Sequence, residues 1–518
     1  MNRVATASVC LAFALLTFFE FPGHTWLQQD TQIYVPILEH LRDPAVLRND
    51  ILVQQPHLAY TLYDEIAITA RRVTGLGFRE ILQAQQIATR AIGFWGLLLL
   101  AEALGLAAGA AVTVAAICSL GVVVAGPSIL TVEYEPTPRA FAFPLILLAI
   151  GFAARGRYRA AGVAGAIAVL YHPPTALPFW GMWVLLCLLP GKQRAGRLQA
   201  FVPLAIASVI LWTAAQTQPE TQTFVTHLST ENEMLQRLRA SYVYVSTWPW
   251  PTIGLHVALF ALVLAAALRL RPPMGPEANV FLIALPAVGL LTMPLSWLFL
   301  EQWKWGVVPQ IQPMRTLLFV TLSMQFLCAV AAIRAGRRAV AVILFGLAFL
   351  LPLQPFTWSR VALAMALGAA ATLAGRWLPA AAVAAFFVIP WIGGVVNYPR
   401  LQTPELAQLS TWAKANTKTD SMFLFADAPR GLDAGVFRTD ALRAVYVDWK
   451  GGGQVNYLSG FGEQWWFRWQ QTLAKKFTPA GLPRYEALGI RYVVLHGEHR
   501  TPAEPIYQNA RYVVYELR

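Results

Sequence analysis

The sequence predicts an α-helical polytopic membrane protein of about thirteen transmembrane helices with a small carboxyl-terminal α/β domain. Three observations carry this. Of 518 residues, 57% are hydrophobic and only 13% charged, a balance outside that of soluble domains. Apolar runs near the roughly 20 residues that cross a bilayer begin close to Val4, Ala91, Ala110, Ala140, Ala160, Thr175, Leu198, Ile253, Val280, Met314, Ala339, Arg360 and Leu378. After Leu401 the chain changes character and alternates a polar helical stretch with short β-type runs.

The positive charges set the orientation. They recur in alternate loops, at Arg3, 155–159, 191–197, 269–273, 334–338 and Arg376. Lys and Arg are retained on the cytoplasmic side, so the amino terminus is expected in the cytoplasm. An odd number of spans then puts the carboxyl end outside. The expected division is a transmembrane domain over 1–397, with a first outer loop at 22–88 carrying amphipathic helices, and a periplasmic α/β domain over 398–518. The expected location is the cell (inner) membrane, multi-pass. Because the net charge of +13 lies mainly in these short loops, it points to the lipid bilayer as partner and not to nucleic acid. Cys10, Cys118, Cys187 and Cys328 all fall in apolar stretches without CxxC spacing, which predicts inert packing. Val4 to Phe21 has no A-x-A exit, so an uncleaved first helix is expected.

In the first outer loop, Ile33, Ile37, Leu38 and Leu41 recur at helical spacing, predicting an amphipathic helix along the membrane surface. In "TVEYEPTPRAF", Pro136 and Pro138 delay helix formation and leave Arg139 at a helix start. "YHPPT" at 171–175 predicts a tight outer hairpin. Trp248, Trp250, Trp303, Trp305, Trp358 and Trp391 fall on the same side, as an interfacial aromatic belt does. In the tail, "TPELAQLSTWAKANT" predicts a helix, and "SMFLFAD", "RAVYVDW", "IRYVVLHG" and "ARYVVYEL" predict strands. "KGGGQ" at 450–454 lacks both GxxxxGK and GxGxxG and is expected to be a turn.

The chemically useful groups gather on the outer side. Asp30 follows the first span at the water interface, where it is either a general base or the cap of a helix beginning near Thr31. Asp50 carries the same two possibilities. Arg139 at a helix start suits a phosphate, because a guanidinium and free helix N–H groups favour the same anion; it could equally pair with Glu133 or Glu135. Arg315, with Lys304 and Glu301 upstream, and Arg360 repeat the pattern, and His172 is pinned at the same rim. These residues describe either an anion-lined cavity or separate snorkelling side chains. No HExxH or GxSxG occurs, so no cofactor is called for; a divalent metal would need Asp30, Asp50, Glu133 and Glu301 to converge.

An acidic residue soon after the first span ("LQQDTQIY"), a long first outer loop, about a dozen helices with short inner loops and an outer α/β tail together resemble the GT-C superfamily of membrane glycosyltransferases. That superfamily includes the protein mannosyltransferases and the lipid A aminoarabinose transferase. The stretches "LSTWAKANTKTDSMFLFAD" and "FRTDALRAVYVDWK" are similar to the segment that many bacterial members carry after their last span. The resemblance implies transfer of a sugar from a polyprenyl-phosphate donor to a lipid, glycan or protein acceptor on the outer face, usually with inversion. Asp30 would be the base, and Arg139, Arg315, His172, Arg360 and Lys304 would hold the leaving phosphate, supported by Glu133, Glu135 and Glu301. Many relatives have two adjacent acids where this chain has Gln29-Asp30. "EQWWFRW" is similar to the paired tryptophans of the oligosaccharyltransferase catalytic subunit but lacks the Asp-Tyr-Gly that should follow, so it takes no acceptor role. The short, basic inner loops leave little room for a nucleotide sugar. Two other classes stay open: a lipid or solute transporter or flippase, against which the clearest carboxylate within a span, Glu102, lies near the inner end of the second helix and not at mid-membrane, and a non-catalytic scaffold.

Overall fold

A computed structural model describes residues 2–54, 61–190, 193–216, 226–270, 274–391 and 401–517. The expected domain boundary at 397/398 and parts of the basic loops at 191–192 and 271–273 lie outside these residues.

Helices stand at each of the apolar runs among the described residues. Four are long and apolar enough to cross a bilayer by length and composition: Arg194–Ala215, Trp250–Leu268, Pro276–Gln302 and Val307–Ile333. Shorter apolar helices accompany them, among them Arg3–Phe19, Pro138–Ala154, Tyr158–Tyr171 and Pro173–Leu188. The chain is a multi-pass membrane protein. Val307–Ile333 is the central pillar, with 94% of its apolar window buried in protein, whereas Arg194–Ala215 has 17% buried and presents its apolar surface outward. Helices Phe78–Ala103 and Pro138–Ala154 approach closely at two glycines. A Cβ on Gly96 would lie 2.4 Å from the Leu147 carbonyl, and one on Gly151 would lie 2.4 Å from the Gly96 oxygen. Small residues let backbones meet where lipid supplies no hydrophobic drive between helices.

Between Ala108–Ser119 and Pro138–Ala154, strands β1 (Val123–Val124) and β2 (Ile129–Leu130) form a short antiparallel ribbon. The tail builds a five-stranded mixed sheet from β3 (Met422–Phe425), β4 (Ala444–Val445), β5 (Tyr492–His496), β6 (Tyr507–Gln508) and β7 (Tyr512–Glu516), in the order β4-β3-β5-β7-β6. β3 runs parallel to β4 and β5, and β7 is antiparallel to β5 and β6. Helices Pro404–Asn416 and Asp433–Ala441 bury Leu409 and Phe437 in one core with Phe423 and Val494; Ser459–Gln471 buries Trp465 and Trp469 in another with Leu424 and Val493. The three α-helices that follow Asn416 among the described residues, Asp433–Ala441, Ser459–Gln471 and Leu482–Ala487, and the edge strand β6 were not legible in the sequence pattern. "KGGGQ" is not a simple turn: Gly451–Asn456 is a 3₁₀ helix.

The first loop forms helices Thr31–Arg42, Ile51–Gln54 and Tyr63–Thr74. The expected helix is present as Thr31–Arg42 and packs on the tail, with Val35 and Leu38 in the core of Phe423 and Phe437, and Ile33 in that of Leu424 and Trp465. The aromatic belt is corrected at one position. Trp250, Trp358 and Trp391 are exposed, but Trp248 is buried over Gly126 and donates its indole N–H to the Tyr242 carbonyl. All four cysteines are buried and free.

Candidate active site

Asp30 stands at the start of Thr31–Arg42, yet its side chain does not cap that helix. Glu135 does so from across the chain. Its carboxylate accepts the N–H groups of Gln28 (2.6 Å), Gln29 (2.8 Å) and Thr31 (3.0 Å). With the helix end satisfied by another acid, the Asp30 carboxylate is left to point elsewhere. Glu135 therefore shapes the turn that presents Asp30.

The Glu135 segment is itself held by Phe78–Ala103. Buried Arg90 donates to the carbonyls of Thr17 (2.7 Å), Gly23 (3.0 Å) and Glu133 (2.6 Å), and Gln86 donates to those of Glu133 and Tyr134. One arginine thus ties the end of the first helix to the 131–137 loop. Sequence reasoning passed over Arg90 because it begins an apolar run.

Around Asp30 the structure gathers three cations. Lys450 Nζ lies 2.7 Å from Asp30 Oδ1, Arg139 Nη2 lies 3.9 Å from Oδ2, and Arg315 is within electrostatic reach. Burial pushes the Asp30 carboxyl up, but Lys450, Arg139 and Arg315 outweigh it and hold the group well below the usual carboxylate range. Arg139 is anchored by Glu133, with Nε 2.6 Å from the carboxylate. Arg315 keeps a buried Nε without a hydrogen-bond partner, beside Gln312, whose amide donates to the Tyr457 hydroxyl at 3.2 Å. His172 caps Pro173–Leu188, its Nδ1 accepting from the Thr175 N–H at 3.2 Å, which leaves Nε2 to carry the proton. Burial, then Arg139 and Arg315, hold this imidazole neutral. Asp30, Arg139, His172 and Arg315 are therefore one cluster, with Glu133 and Glu135 in support.

Four predicted site residues lie elsewhere. Asp50 is corrected from candidate base to buried counter-ion: it is fully buried, bonds Arg438 at 2.6 Å, and accepts the N–H groups of Val445 (2.9 Å) and Leu52 (3.0 Å). No acceptor proton can reach a carboxylate so enclosed. Lys304 pairs with Glu233 at 2.9 Å, and Glu301 accepts from the Ser246 N–H at 3.0 Å and sits 3.3 Å from Arg237. Both serve the Thr230–Arg239 helix. Arg360 donates to the carbonyls of Leu353 and Pro355 at the start of its own helix. Of the four acids that would have to converge on a metal, Asp30 and Glu133 share Arg139, whereas Asp50 and Glu301 sit with other partners. Among the described residues no group of three or more His, Cys, Asp or Glu is arranged to hold one.

Lys450 and Tyr457 were missed, because both come from a glycine-rich stretch that carries no nucleotide motif. Between Phe78–Ala103 and Pro138–Ala154 lies a small, mostly apolar cavity of about 20 Å³, lined among others by Arg90, Phe94, Glu133, Phe143 and Leu147.

No family model and no curated protein matches the chain. It is similar to several solved structures. One is the arabinofuranosyltransferase AftD from Mycobacteria (15% identity, TM-score 0.47), covering 96% of this chain, which spans 35% of that protein's length. Another is ArnT from Cupriavidus metallidurans bound to undecaprenyl phosphate (12% identity, TM-score 0.48), covering 99% of this chain and 97% of that one. A third is the archaeal oligosaccharyltransferase AglB from Archaeoglobus fulgidus, in complex with an inhibitory peptide and a dolichol-phosphate (13% identity, TM-score 0.42), covering 95% and 69%.

Proposed function

We propose that the chain is a GT-C-type membrane glycosyltransferase that moves a sugar from a polyprenyl-phosphate donor to a lipid, glycan or protein acceptor on the outer face of the inner membrane. One observation carries the reading: a carboxylate set among Lys450, Arg139 and Arg315 at one end of an apolar bundle. A polyprenyl phosphate has an apolar tail and an anionic head. A site for it needs greasy walls that end in cations.

In the proposed reaction Asp30 takes the proton of the acceptor hydroxyl. The acceptor oxygen bonds to the anomeric carbon as the bond from that carbon to the phosphate oxygen breaks, and the leaving polyprenyl phosphate keeps the electron pair. Arg139, Arg315 and Lys450 neutralise the charge that grows there. Displacement in a single step inverts the anomeric centre. Neutral His172 can donate through Nε2 to a phosphate or sugar oxygen.

The test is transfer from an undecaprenyl-phosphate sugar by the reconstituted full chain. Asp30→Asn should lower turnover by a factor on the order of 10² to 10⁴, the usual contribution of a positioned base, with insertion and folding intact. Turnover at the wild-type rate would end the reading.

A further inference from the structure

Lys450 is held from three sides at the backbone and left adjustable at its tip. Asp448, the residue two before it, is fixed by Arg438 (2.5 Å), which also binds Asp50, and it accepts the Gly451 N–H at 3.0 Å. The Asp448 carbonyl accepts the Trp465 indole N–H at 2.8 Å. Arg239 donates to the Trp449 carbonyl and stacks 3.6 Å over its ring.

The glycines that follow are required by close approach. A Cβ on Gly451 would lie 2.7 Å from the Asp448 carboxylate, and one on Gly452 would lie 2.5 Å from the Trp465 ring. This packing brings the chain down onto the first loop, where Lys450 reaches Asp30 at 2.7 Å and the Gln29 side-chain oxygen at 3.4 Å.

The two cations flanking Asp30 differ in freedom. Arg139 is bound through Nε to Glu133. Among the described residues, the hydrogen bonds of the Lys450 ammonium go to Asp30 and Gln29, on a flexible four-carbon stem. A carboxylate in such a pair is a weak base, so proton removal by Asp30 needs a cation to withdraw.

Resting on the proposed donor chemistry, we propose that Lys450 is a charge latch between the tail sheet and the reaction centre: its ammonium holds Asp30 in the resting protein and transfers to the lipid-linked phosphate on donor binding, releasing the carboxylate. The tail is then a working part of the site, and the buried Asp50–Arg438–Asp448 network sets where the latch hangs.

The experiment is equilibrium binding of undecaprenyl phosphate, and of undecaprenol as the uncharged control, to the full chain in nanodiscs. Lys450→Met should weaken the lipid phosphate on the order of tenfold, the loss of one charge-assisted hydrogen bond, and leave undecaprenol unchanged. Lys450→Arg should restore most of the affinity. The cycle with Asp30→Asn is the sharper arm. A latch must let go of Asp30 to bind phosphate, so Lys450→Met should cost more affinity in the Asp30→Asn background than in wild type. Additive effects, or equal weakening of undecaprenol, overturn the latch while the donor reading stands. Wild-type protein that fails to bind the lipid phosphate overturns both.

Discussion

Asp30 and Asp50 are the same residue type in the same loop, each just before a short helix, and their surroundings separate them completely. Asp30 keeps its carboxylate about a third exposed beside Lys450 and Arg139; Asp50 is sealed beneath Arg438 and two backbone N–H groups. Removing one partner of a buried pair leaves the other charge uncompensated. Asp50→Asn should therefore destabilise the protein by about 3–5 kcal/mol, seen in a thermal or denaturant melt. Its activity should fall only in proportion to the folded fraction. Arg139→Ala should act differently, raising the KM for donor on the order of tenfold through a lost charge-assisted contact, with kcat/KM the readout. Neither contrast could be read from spacing, because the partners Lys450, Arg438 and Asp448 lie hundreds of positions away in the chain.

At the scale of elements, two glycines make a matched test. Gly96 sits where two helix backbones touch, so Gly96→Leu should force Phe78–Ala103 away from Pro138–Ala154 and abolish folded protein, as size-exclusion profiles would report. Gly75, in the left-handed conformation (φ 73°) with open space around it, should tolerate alanine at a cost of about 1–2 kcal/mol. The sheet carries a pH-sensitive end. His496, closing β5, is raised to about 9 by its hydrogen bond to Asp427 (3.2 Å) and by the Asp433 carboxylate 3.8 Å away, and the two carboxyls are lowered in return, each against its own burial. A histidine whose folded value lies above its unfolded one adds stability that is full below about pH 6.5 and is lost as pH rises through about 9. The acids add stability that is lost as pH falls through the acidic range. The protection of β5 and β7 amides, after division by the base-catalysed intrinsic exchange rate, should accordingly fall between pH 7 and about 10 in wild type and lose that dependence in His496→Gln.

At the scale of the molecule, the proposed orientation puts the reaction centre and the tail on one side of the bilayer. With all four native cysteines buried, Glu463→Cys should react with an impermeant maleimide added from outside, and Arg157→Cys only after permeabilisation. The reverse pattern would invert the map. The tail is not an appended body. Val35 and Leu38 of the first loop, Phe78 and Leu82 of Phe78–Ala103, and Phe141 of Pro138–Ala154 share one core with Phe423 and Val494 of the sheet.

Composition and hydropathy by themselves determined the apolar helices, and sequence pattern most of the tail strands, because burial in lipid or in a sheet face imposes a period that each segment carries alone. They also brought Asp30, Arg139, His172 and Arg315 forward as polar groups at the ends of apolar runs. Only the tertiary structure decided which of these meet: that Glu135 caps the helix beside Asp30, that Asp50 faces Arg438, that Lys304 turns to Glu233, and that the glycine stretch delivers Lys450. An ion pair is a property of two positions and the packing between them, and no local period encodes it.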